Sequence, residues 1–104
     1  MVVGKVVANP TMVSNGEEIS LEIGGTISAS GQVTMNGKDY HPVVYYLIDG
    51  DEVVKSTEST LPFSARCKIE NLTIGEHVIS VDIKSSRSEA TFENKVSPTM
   101  ITVR

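Results

Sequence analysis

Two stretches of strict alternation constrain this chain more than anything else in it. Phe63, Ala65, Cys67 and Ile69 take one side, and Ser64, Arg66, Lys68 and Glu70 take the other. Further on, His77, Ile79, Val81 and Ile83 alternate with Val78, Ser80, Asp82 and Lys84. Successive side chains of a strand point to opposite faces, so a period of two marks a half-buried strand. Upstream, residues 43–48 read VVYYLI, an unbroken β-branched, aromatic and aliphatic run that suits a strand covered on both faces. Asp49-Gly50 follows at once. It signals a tight primed turn, whose positive φ a glycine adopts without steric cost. Residues 52–55 then return as a short strand with Val53 and Val54 on opposite faces. Everything outside residues 41–84 reads as the strands that complete a β-sandwich.

Residues 2–8 form the expected first strand, ended by Asn9-Pro10 because proline cannot donate to a ladder and restricts the residue before it. Ser14-Asn15-Gly16 is a turn. Residues 17–30 make the second strand, with Ile19, Leu21 and Ile23 facing inward and Gly24-Gly25 interrupting the period as a bulge. Asn36-Gly37 fits either a small extra hairpin or a long loop over residues 31–41. Residues 85–97 are a second long, mostly polar connection, and the last strand runs over 99–104. Nothing in the pattern predicts a helix, an internal repeat or a low-complexity tract.

The spacing VYYLIDG, then Pro62-Phe63-Ser64, then Leu72, Gly75, His77, Ile79 and Val81 resembles the bacterial immunoglobulin-like (Ig-like) repeat family. The resemblance covers residues 41–84 closely and the rest loosely. It implies an all-β fold, an Ig-like Greek-key β-sandwich of seven or eight antiparallel strands in two sheets. It also implies an extracellular or cell-surface setting, in which residues 1–104 are a single domain excised from a larger secreted or surface protein. Partners would then be neighbouring domains of the same protein or another surface protein. The matched positions are core and turn residues, and no catalytic motif comes with them.

With 104 residues the chain has the size of one such domain and can bury enough surface to fold without a staple. Its single cysteine, Cys67, falls on the inward face and reads as a small buried hydrophobe. Nine basic against thirteen acidic residues give a net charge of -4, which argues against a nucleic-acid partner, since that partner selects a basic patch. No apolar run approaches the ~20 residues of a membrane-spanning helix, so direct membrane insertion is not expected. The opening MVVGKVV lacks the features of a signal peptide.

Candidate chemistry is sparse. The chain has no GxSxG elbow, P-loop, HExxH or CxxC motif, and no cofactor is expected. His41 and His77 open antiparallel neighbouring strands, which puts them roughly 20 Å apart at ~3.4 Å per residue and unable to share an ion. His77 reads as a core histidine with both nitrogens satisfied. Asp49, Asp51 and Glu52 cluster in one turn, but calcium needs six to eight converging oxygens, and three acids on a hairpin more often solvate it. Lys5 would suit an intramolecular isopeptide bond, yet the last strand carries no asparagine. Asn71-Leu72-Thr73 fits the N-glycosylation pattern by chance, with Leu72 plugging the core beneath a turn.

Two surface readings remain. The resemblance places Val44, Tyr46 and Ile48 inward and Val43, Tyr45 and Leu47 outward, where the family pattern carries polar residues. With Val78, and Met100 beyond it, these form either an apolar stripe, the mark of an interface, or a surface partly covered by the 31–41 or 85–97 loops. The alternative is a carbohydrate-binding or adhesin site that stacks a glycan on Tyr45, or on the loop residues Tyr40 and Phe92.

Overall fold

The computed structural model describes residues 2–24, 33–35, 38–40, 42–56, 64–85 and 94–104. They form eleven strands among the described residues, in chain order β1 (Val2–Asn9), β2 (Met12–Val13), β3 (Glu18–Gly24), β4 (Val33–Met35), β5 (Lys38–Tyr40), β6 (Pro42–Ile48), β7 (Asp51–Ser56), β8 (Ser64–Lys68), β9 (Gly75–Ser85), β10 (Asn94–Ser97) and β11 (Thr99–Val103). One sheet runs β10-β1-β3-β8 and the other β2-β11-β9-β6-β7, with β4 and β5 paired apart from both. The architecture is all-β, with two sheets packed on a common core.

That core follows from the alternation. Val6, Ile19, Leu21 and Ile23 from one sheet meet Val44, Tyr46, Ile79, Ile101 and Val103 from the other, all buried. Cys67 and Ile69 are buried in the same cluster, with Ala65, Leu72 and Val81 half-buried against it. Burying a large aliphatic or aromatic side chain contributes roughly 1.5–3 kcal/mol, and these residues dominate the stabilisation.

The ends of the chain depart from the all-antiparallel expectation of seven or eight strands. Both terminal segments switch sheets, and each switch carries a proline. Pro10 separates β1 in the first sheet from β2 in the second, and Pro98 separates β10 in the first from β11 in the second. Proline lacks the donor that would continue one ladder, so the chain leaves a sheet there readily. The two switching segments run side by side: β1 pairs with β10 in parallel, Lys5 opposite Ser97, and β2 pairs with β11 in parallel, Val13 opposite Val103. The sequence pattern shows four short apolar pieces here but not which sheet each one joins.

Other differences are local. Within the described residues no bulge falls at Gly24, which pairs in register with Lys5 and lies 3.1 Å, at an idealised Cβ, from a Val7 methyl. The glycine serves close approach there, while Gly25 lies outside the described residues. The register shift falls instead between β6 and β7, where Tyr46 pairs with Val54 and Leu47 with Glu52, leaving Val53 as the extra, exposed residue. Of the 31–41 stretch, the described strands β4 and β5 pair antiparallel, from Val33–Tyr40 to Met35–Lys38, as the hairpin alternative expects.

Candidate functional site

All strand ends near Asp49 gather at one pole of the sandwich. Asp49 and Gly50 form the primed turn, with φ of 52° and 87°. Ile48 pairs with Ile79 and Ile101 with His77, and Val103 pairs with Gly75, so the exit of β11 lies at this pole too. A second turn is docked beside it. Gly16 N–H donates to the Ile69 carbonyl at 2.6 Å, Ile69 N–H to the Glu17 carbonyl at 2.8 Å, and Ser14 N–H to Glu17 Oε1 at 2.7 Å.

A side-chain cluster with acid–base character lies here. The Asp49 carboxylate sits over the first residues of β9: Oδ1 accepts the Val78 N–H at 3.0 Å, and Oδ2 meets His77 Nδ1 at 2.5 Å. His77 Nε2 lies 2.7 Å from the Thr73 carbonyl and 3.4 Å from Thr73 Oγ1. His77 is 7% exposed, and Asp49 stands at the surface. The hydrogen bond to Asp49, then that to the Thr73 carbonyl, raises the pKa of His77, against a smaller opposing effect of burial. The His77 bond, then the Val78 N–H, lowers the pKa of Asp49.

A hydroxyl, an imidazole and a carboxylate in line have the roles of nucleophile, base and orienter. The arrangement present is not set for that use. A general base needs a bare Nε2 that accepts from the hydroxyl, but the nearer partner of Nε2 is a carbonyl, which can only accept. Both ring nitrogens face acceptors, so both are satisfied together only when the ring carries both protons. The cluster ties the β6–β7 turn, the start of β9 and the 71–75 turn together. The reading of His77 as a core histidine with both nitrogens satisfied holds. Asp49 spends both oxygens on these bonds, and no group of three or more His, Cys, Asp and Glu able to hold a metal occurs among the described residues.

The residues read as surface sites scatter. Val43 is buried at 8% exposure, so it is not part of an open stripe. It lies outside the core cluster. Its cross-strand neighbour Lys84 places its ammonium 5.1 Å from the Tyr45 ring centroid and 3.7 Å from Asp82. Tyr45 and Leu47 are half-buried, while Val78 is open and sits opposite the open Met100. The exposed apolar surface lies nearer the pole, with Met12 at 52% and Ile74 at 82% exposure. Met12 was not legible as a member of this face because its strand joins the sheet only through the switch at Pro10. Tyr40 belongs to β5, but its side chain, Phe92 and His41 lie outside the described residues.

Between the edges of β7 and β8 the sandwich leaves a groove of about 410 Å³, lined by Ile48, Val53, Val54, Cys67 and Leu72 with Arg66 and Lys68 at its rim. Burial first, then Glu18 and Glu70, pushes the Cys67 thiol pKa up, away from a reactive thiolate. Comparison with protein-family models, curated proteins and solved structures finds no match to this chain.

Proposed function

We propose that the chain is a non-catalytic structural and interaction module, an Ig-like spacer or docking domain of a bacterial extracellular or cell-surface protein. The Ig-like Greek-key assignment and the surface setting rest on the sequence resemblance. The observation that carries the spacer reading is the parallel pairing of the terminal strands. Because β1 and β2 run alongside β10 and β11 in the same direction, the chain enters the sandwich at the pole of Asn94 and leaves at the pole of Gly75. Segments joined to the two ends would be held apart by the length of the sandwich. Tension between them would load the β1–β10 and β2–β11 hydrogen bonds in shear, all together, rather than one after another.

Single-molecule pulling tests this reading. Force applied through the two ends is expected to unfold the domain at several times the force needed when the handles are placed on the β6–β7 turn and the first strand. Equal or lower force through the ends would remove the mechanical basis of the spacer reading. The glycan alternative gains no support from Tyr45, whose ring already carries the Lys84 ammonium.

A further inference from the structure

We propose that His77, Asp49 and Thr73 form a proton-operated latch, in which loss of the His77 Nε2 proton exchanges the Thr73 carbonyl for the Thr73 hydroxyl and moves the 71–75 turn. The argument starts from donors and acceptors. In the closed arrangement Nδ1 faces the Asp49 carboxylate and Nε2 faces the Thr73 carbonyl at 2.7 Å. Neither partner can donate, so a neutral ring, with one bare nitrogen, must oppose one of them lone pair to lone pair. A hydrogen bond to a charged acceptor is the stronger of the two, so the neutral ring keeps its proton on Nδ1. The proton leaves from Nε2 to solvent, which reaches the site because Thr73 is exposed.

A bare Nε2 then needs a donor, and one is present. Thr73 Oγ1 already lies 3.4 Å away. A small rotation of the turn brings the hydroxyl proton to Nε2 and carries the carbonyl off. Asp49 stays anchored throughout by the Val78 N–H, so the movement falls on the turn and not on the hairpin. The same turn carries Gly75, the partner of Val103, so the latch reaches the last residues of β11.

Among the described residues, few other charges bear on the ring. Asp49 is the charged group in contact with it, from the β6–β7 turn. Glu76, the neighbour on β9, is exposed on the opposite face, and β11 presents Ile101 opposite, flanked by Met100 and Thr102. In the 69–75 turn Glu70 pairs with Lys68 at 3.6 Å.

Ring nitrogen and backbone amide NMR shifts, followed from pH 5 to pH 9, test the latch. The expected result is a His77 midpoint above the ordinary value of about 6.5 and a neutral ring protonated on Nδ1. The amides of Thr73, Ile74 and Gly75 should shift with the same midpoint. Thr73→Val keeps the β-branched shape but removes the donor that serves the neutral ring, so its midpoint should rise further. Asp49→Asn retains a good turn residue and should lower the midpoint. A neutral ring protonated on Nε2, turn amides that do not follow the ring, or a Thr73→Val midpoint at or below that of the parent would each overturn the proposal.

Discussion

The side-chain amide of Asn15 pairs with the backbone of Leu72 as a strand would. Its Nδ2 donates to the Leu72 carbonyl at 2.8 Å, and its Oδ1 accepts the Leu72 N–H at 3.0 Å. The partners are 57 positions apart in sequence. This double bond holds the turn after β2 against the turn after β8, and it seats Leu72 on the core. Asn15→Ala should therefore cost about 1–2 kcal/mol in a urea titration, since each net hydrogen bond contributes roughly 0.5–1.5 kcal/mol. Asn15→Asp should cost at least as much, because it sets a carboxylate against a carbonyl. An unchanged midpoint in both variants would show that the clamp does not hold the turn.

Stability should peak in mildly acidic solution. The pKa of His77 is raised in the folded state, so its contribution is complete below about 6.5 and disappears as pH climbs through the folded value above that. The pKa of Asp49 is lowered, so its contribution is complete above about 3.8 and disappears as pH falls through the folded value below that. Denaturation midpoints should be highest between these limits and decline on both sides. Asp49→Asn should flatten both slopes. A parent protein with maximal stability at pH 8 would contradict this.

Gly4 cannot be enlarged. A Cβ there would lie 2.6 Å from the Gly24 carbonyl oxygen and 2.9 Å from Ile23 Cγ2. The nearest obstacle is backbone, so β1 and β3 would have to separate. Overpacking of this kind costs typically ~1–3 kcal/mol, and Gly4→Ala should show that loss. Gly16→Ala meets no atom within 4 Å but sits at φ 96°, so its cost comes from backbone strain and not from packing.

Cys67 should report unfolding rather than function. It is 6% exposed and its thiol pKa is raised. Labelling by a thiol reagent at pH 8 should be slow in the native protein and fast in denaturant. Rapid labelling of the folded protein would mean that the groove between β7 and β8 opens far more than the structure shows.

Much of this was written in the sequence where a single local rule governs. The period of two placed every described inward residue of β8 and β9, and Asp-Gly placed the turn, because alternation and positive φ act within a few residues. The ends were hidden for the opposite reason. Val13 and Ile101 look alike as apolar letters, and only long-range pairing decides that β2 joins β11 while β1 joins β10. The cluster was half legible. The inward place of His77 and the turn at Asp49 were both evident, but their meeting, and the part of Thr73, depend on the β6–β9 register. The burial of Val43 was not legible because the apolar pattern assigns a face and cannot show whether that face is covered.

The most direct test of the account is the distance between the ends of the terminal strands. Spin labels at Lys5→Cys and Arg104→Cys, in a Cys67→Ala background, report it by pulsed dipolar spectroscopy. Parallel terminal strands separate Lys5 from the exit of β11 by about eight residues of extended chain, or about 25 Å at ~3.3 Å per residue. A narrow distribution near that value is the expected result. A distribution centred below about 15 Å would mean that the last strand returns antiparallel to the first. The chain would then enter and leave at one pole, and the spacer account would fail.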